Sequence, residues 1–132
     1  MTAYLLDTHI WSWSLLRNFL PAKISDLLDA ADAISLSSIS FYEIRQKVRI
    51  GKWPEMEPYA EGLMNIVAIQ GATAIAITPE ISDLAGALDW THRDPFDRMI
   101  AATSISLKIP LISADASFDD LADRKDWPGR VW

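Results

Sequence analysis

Apolar and polar positions along the chain follow two periods. Four short apolar runs read as strands: Tyr4-Leu5-Leu6, Ile34-Ser35-Leu36-Ser37, Thr73-Ala74-Ile75-Ala76-Ile77 and Leu111-Ile112-Ser113 after Pro110. Between them the apolar residues recur at helical spacing over about residues 22–31, 40–50, 57–70, 79–88 and 95–108. Pro21, Pro58, Pro79 and Pro95 stand where a first helical turn tolerates a missing N–H. Thr78 and Asp94 precede two of them as N-caps, and Gly51 and Gly71 close helices. Short strands joined by crossover-length helices predict an α/β fold with a mostly parallel central sheet, covered on both faces. No repeat, low-complexity run or Gly/Ser linker interrupts this order, so the 132 residues read as a single domain.

Composition narrows the chemistry. The chain has no cysteine, which excludes disulfides, thiolate metal sites and a cysteine nucleophile. Twelve Lys and Arg against eighteen Asp and Glu give a net charge of -6, so bulk charge does not draw the protein to nucleic acid. No apolar run approaches the ~18 residues of a membrane span, and the start of the chain lacks the basic and long apolar regions of a signal peptide. The expected location is the cytoplasm, with no membrane partner.

Ligands of parallel sheets bind beyond the carboxyl ends of the strands. Two predicted strands run into aspartates at that rim, Asp7 after Leu5-Leu6 and Asp115 after Ile112-Ser113-Ala114. Glu43 and Asp97 fall early in helices that begin at the same rim. Each has an ordinary explanation. Ser40-x-x-Glu43 has the form of a capping box, Asp94 and Asp97 suit a helix N-terminus, and Asp7 and Asp115 suit turns. Four converging carboxylates do not, because each pair at ~4 Å repels by about 4 kcal/mol at an effective dielectric of 20. A hard divalent cation, Mg²⁺ or Mn²⁺, relieves such repulsion, and it can activate water against a phosphodiester.

The segments Leu5-Leu6-Asp7-Thr8-His9, Ser38-x-x-x-x-Glu43, Asp94-Pro95-Phe96-Asp97-Arg98-Met99-Ile100-Ala101-Ala102 and Ile112-Ser113-Ala114-Asp115 resemble the successive motifs of PIN (PilT N-terminal) domains. Within that family they are similar to the VapC-type ribonuclease toxins of type II toxin-antitoxin systems. The resemblance implies a three-layer α/β/α domain over residues 1–132 acting as a metal-dependent endoribonuclease on RNA, neutralised by a cognate antitoxin. It implies that Asp7, Glu43, Asp97 and Asp115 are catalytic and hold Mg²⁺ or Mn²⁺. Asp7 and Asp97 would be the direct ligands, Glu43 would hold or polarise water, and Asp115 would act through water or complete a second metal site. Asp97 is preferred to Asp94 because it directly precedes the Met-Ile-Ala-Ala stretch; Asp94 and Thr8 then support the ligands from behind.

Arg45, Arg49 and Lys52 share one helical face, as a solvated face or an RNA-phosphate track. Arg98 is close enough to the acids to pair with one. His9 and His92 are weighed as metal ligands or proton carriers, but without soft ligands and far apart in sequence they are disfavoured as ligands, and His9 is expected to pack or bond near Asp7. Six tryptophans exceed what a small core needs, which suits a protein interface with an antitoxin or a second copy in a homodimer. Asp119, Asp120, Asp123 and Asp126 read as a solvated helix face. Haloacid dehalogenase-type phosphatases need an Asp where His9 stands, and receiver domains need an Asp after the middle strand, where Thr78-Pro79 follows. The remaining alternative is a catalytically silent PIN-like binding module.

Overall fold

The computed structural model describes residues 2–16 and 19–132. The order of elements is β1 (Ala3–Leu6), α1 (Thr8–Leu16), α2 (Ala22–Ala30), β2 (Ala33–Ser37), α3 (Ile39–Arg49), a 3-10 segment Pro54–Gly62, α4 (Leu63–Gln70), β3 (Thr73–Ile75), α5 (Pro79–Ala87), α6 (Pro95–Leu107), β4 (Leu111–Ile112), a second 3-10 segment Ala116–Leu121 and β5 (Arg130–Val131). The strands form one sheet in the order β3-β2-β1-β4-β5, every pairing parallel. Leu6 lies opposite both Leu36 and Ile112, so the central strands end at one rim.

Alternation along the central strands builds two cores. Leu6, Leu36 and Ile112 join Ile10, Trp11, Ile24, Ile44, Met56, Leu63 and Val67. Leu5 and Leu111 face the other way, onto Leu88, Trp90, Ile100, Ala101, Ile105, Phe118 and Leu121. Burial on both faces explains why these strands read as continuous apolar runs. The expected three-layer α/β/α architecture is present.

Local signals located several elements well. Thr78 Oγ1 accepts the Ile81 N–H at 3.2 Å and Asp94 Oδ1 the Phe96 N–H at 2.8 Å, so both residues cap helices that begin with proline. Gly51 and Gly71 have φ of 76° and 68°, the left-handed conformation that ends a helix without a Cβ penalty.

Other expectations are corrected. Helix α1 was not anticipated, because its Thr-His-Ile-Trp-Ser-Trp-Ser run has middling helix propensity; Asp7 caps it and Trp11 anchors it at 1% exposure. The expected helix over 57–70 is a 3-10 segment followed by α4, with Pro58 inside the former, since proline cannot donate to an α-helical ladder. The third strand stops at Ile75, two residues early, and the fourth at Ile112, before Ser113. β5 has two residues, too few for an alternation to show, and exists through its pairing with β4. Ser40 makes no capping box: it lies inside α3, and its hydroxyl bonds to Thr8 Oγ1 at 2.8 Å. The C-terminal aspartates form no α-helical face. Asp119 pairs with Arg130 and Asp126 with Arg124 around the second 3-10 segment.

Arg98 pairs with no carboxylate. Its guanidinium donates to the carbonyls of Ala85 (2.8 Å), Leu88 (2.6 Å), Trp90 (2.9 Å) and His92 (2.8 Å), tying the 85–92 segment to α6. Five N–H donors in a rigid fork suit this task, and lysine cannot reproduce them. Replacing Arg98 with Met should lower the unfolding free energy by about 3 kcal/mol, as carbonyls lose their charged donor. Arg98→Lys should recover less than half of that loss. Urea denaturation of both variants measures it, and an unchanged midpoint would remove the clamp's structural role.

Candidate functional site

The strand order places β2 and β3 on one side of β1, and β4 and β5 on the other. The chain's direction across the sheet therefore reverses between β1 and β4, and a crevice opens at the carboxyl rim of such a switch point. Asp7 leaves β1 there. Its side chain is buried, Oδ1 accepts the Ile10 N–H at 2.8 Å, and Oδ2 accepts the Ser113 hydroxyl across the switch point. Burial raises the Asp7 pKa, with Glu43 adding repulsion, while the Ser113 and Ile10 donors and His9 act in the opposite direction.

Glu43 projects from α3 and is buried at 3% exposure; its Oε2 pairs with Lys47 one turn on at 2.5 Å. The Thr8–Ser40 hydroxyl contact joins the first turn of α1 to that of α3, behind Asp7 and Glu43. Asp97 stands in the first turn of α6, and its Oδ2 meets His92 Nε2 at 2.7 Å. Burial pushes the Asp97 pKa up to about 6, and the charges of Asp94 and Glu43 reinforce this against the His92 contact. Glu43 thus repels both Asp7 and Asp97, and these three acids share one electrostatic neighbourhood.

Asp115 stands apart. It is exposed, and its Oδ1 caps the second 3-10 segment through the Ser117 N–H (2.9 Å) and hydroxyl (2.7 Å). Slight burial would raise its pKa, but the Ser117 donors, with His92 and Arg130, hold it low. Its link to the other acids runs through Ser113, whose Oγ also accepts the Asp115 N–H at 3.0 Å.

Among the described residues, the three ligand groups whose atoms all lie within 4.8 Å of one another are His92, Asp94 and Asp97. His92, disfavoured as a ligand from sequence, therefore lies beside the candidate acids. Its ring rests against Trp90 at 4.8 Å, and the Trp90 Nε1 is buried without a hydrogen-bond partner among the described residues. Lys47 and Ser113 were also missed. The Glu43–Lys47 spacing of four could have signalled the first, whereas Ser113 becomes visible only once β1 and β4 are paired. His9 packs on Trp53 and Trp13 at 4.9 and 6.0 Å, as expected of a packing residue. Arg45 bonds to the Ala60 carbonyl at 2.8 Å, and with Arg49 it lines a groove of about 960 Å³ that also contains Glu57 and Glu61. Lys52 is exposed beyond the end of α3. Of the tryptophans, Trp11 and Trp90 are core, while Trp132 at 38% exposure and Phe19 at 57% flank Trp13 on the surface.

The raised pKa of Asp97 fixes the sign of a pH effect. Between 3.8 and about 6 the folded state binds more protons than the unfolded state, so stability falls as pH rises through this window. The upward shift of Asp7 acts in the same direction. Thermal melts in chelator should therefore show a higher Tm at pH 5 than at pH 7, and Asp97→Asn should flatten the difference. A Tm that climbs from pH 5 to 7 in the unsubstituted protein would contradict the repulsive cluster.

The PIN domain family profile matches residues 4–124. Comparison with curated protein sequences finds no match. By fold the chain is similar to VapBC-5 of Mycobacterium tuberculosis, a member of the VapBC family of toxin-antitoxin systems, at TM-score 0.69 and 18% identity over 99% of this chain and 100% of that one. It is likewise similar to VapBC2 from Rickettsia felis bound to a promoter DNA fragment (0.68, 17%, 99% of each chain). A toxin-antitoxin complex from Klebsiella pneumoniae also shares the fold (0.67, 20%, 98% and 96%). At these identities the likeness is one of fold. With the family profile spanning nearly the whole sequence, the chain belongs to the PIN domain family.

Proposed function

We propose that this protein is a metal-dependent endoribonuclease toxin that hydrolyses RNA phosphodiester bonds and is neutralised by a cognate protein antitoxin. The observation that carries the reading is the burial of Asp7 and Glu43 at the switch point, with the Glu43 charge acting on both Asp7 and Asp97. A fold keeps such an arrangement when a ligand of opposite charge compensates for it.

The residues fit a hard divalent ion, Mg²⁺ or Mn²⁺. Asp7, Glu43 and Asp97 offer oxygen donors only. They would hold the ion directly or through the waters that Mg²⁺ retains. The bound cation supplies charge that neutralises the phosphodiester and acidifies water. The protein's own part is positioning. Asp7 is locked by Ile10 and Ser113, Asp97 is steadied by His92, and Glu43 would hold or polarise the attacking water. Lys47 holds Glu43 on the opposite side. Asp115 contributes through water from the margin, Thr8 supports the ligands from behind, and Asp94 caps α6 beside Asp97. RNA phosphates meet the exposed cations Arg45, Arg49 and Lys52 along and beyond α3.

The similarity of fold to chains of toxin-antitoxin complexes supports an antitoxin as partner. Met64 and Ile69, 79% and 85% exposed on α4, offer apolar surface to such a partner or to a second copy in a homodimer. The reading places the protein in the cytoplasm. Among the described residues, no helix is long and apolar enough to cross a membrane.

Purified protein should cleave RNA with Mg²⁺ or Mn²⁺ and lose the activity in excess chelator. Asp7→Asn and Asp97→Asn should each reduce cleavage at least about a hundredfold, or about 2.7 kcal/mol. Asn retains the cap of α1, so the circular dichroism spectrum should not change. Cleavage that survives either substitution or the chelator would reject the reading, and metal binding without cleavage would favour a silent binding module.

A further inference from the structure

The assignment of oxygen ligands leaves His92 without a chemical task, although it makes the tightest contact at Asp97. Its Nε2 lies 2.7 Å from Asp97 Oδ2, and Asp94 completes a set of three ligand groups within 4.8 Å. Neighbouring ligands on an octahedral ion with bonds of about 2.1 Å are about 3.0 Å apart. A cation could therefore take the place of the shared proton between His92 and Asp97 with a shift of a few tenths of an ångström.

The supporting geometry leaves the required lone pairs free. Asp94 uses Oδ1 to cap α6, which leaves Oδ2. Asp97 has no protein donor on Oδ1 among the described residues. The imidazole is held without using Nε2: its ring lies on Trp90 at 4.8 Å, and Arg98 grips the His92 carbonyl at 2.8 Å. The N-terminus of α6 carries partial positive charge that opposes a cation, but two carboxylates outweigh the roughly half charge of a helix end.

We propose that His92 supplies a nitrogen ligand, beside carboxylate oxygens of Asp94 and Asp97, to a divalent transition-metal ion of the Mn²⁺ class and biases the site against Mg²⁺. Imidazole is a poor ligand for Mg²⁺, which prefers oxygen and keeps its waters, and a better one for first-row transition ions. The inference rests on the metal-dependent reading above and specifies its ion.

The test uses the full chain and the metals alone. Electron spin-echo modulation of bound Mn²⁺ should show a ¹⁴N coupling in the unsubstituted protein that disappears in His92→Gln. Calorimetry should show Mn²⁺ affinity falling at least about tenfold in that variant, the scale on which even outer partners of a metal site act. Mg²⁺ affinity should change less than about threefold, which also reports that the variant has folded. His92→Asn should behave alike. Bound Mn²⁺ without nitrogen coupling, or equal losses for both ions, would overturn the proposal, mark His92 as a positioning residue for Asp97 and leave the nuclease reading intact. An unsubstituted protein that binds neither ion would reject both.

Discussion

Like-charge repulsion at the carboxyl rim of a parallel sheet is the constraint around which the structure is arranged. Asp7 sits at its centre. The same carboxylate ends β1, caps α1 and bonds to Ser113 across the switch point, so its position is over-determined by three elements. Removing it from water raises its pKa, and the charge of Glu43 adds to the cost. A carboxylate that served only to cap a helix would be equally effective at the surface, without desolvation. The burial of Asp7 therefore exceeds what a helix cap or a turn requires.

The surrounding scaffold keeps the acids from relaxing apart. Two apolar cores clamp β1 and β4 from opposite faces, and the Thr8–Ser40 contact ties the starts of α1 and α3 together. On the other flank Arg98 gathers the carbonyls of the 85–92 segment, which fixes His92 against Trp90 and Asp97. Its role is structural, yet it acts directly behind the acid that α6 presents. Lys47 is a local counter-charge for Glu43, and its ammonium lies 5.5 Å from the Trp53 ring centroid. The site is thus rigid where carboxylates crowd and open where Asp115 reaches solvent.

The acids were legible because three of them stand at ends of elements whose direction the apolar pattern already revealed. Asp7 follows the run Leu5-Leu6, Asp115 follows Leu111-Ile112, and Asp97 lies three residues after the cap Asp94. Glu43 was legible from its place early in a helix that begins at the same rim, and the competing capping box is absent because Ser40 spends its hydroxyl on Thr8. Helix α1 stayed hidden because its stability comes from Trp11 in the core and from the Asp7 cap, neither of which produces a periodic pattern.

The sequence by itself determined what depends on neighbours a few residues away: proline-started helices with Thr78 and Asp94 as caps, glycine stops at Gly51 and Gly71, and strands whose unbroken apolar character implies two covered faces. These follow from backbone sterics and local hydrogen bonding, which act at short range. Only the tertiary structure decided which polar groups share a partner. Ser113 with Asp7 spans 106 positions, Thr8 with Ser40 spans 32, and β5 exists because β4 lies beside it. His92 needed the fold too: five residues from Asp97 in sequence, it meets that carboxylate because Arg98 and Trp90 hold the loop in place. Contacts of this kind depend on the geometry of a packed sheet, which no single stretch of chain contains.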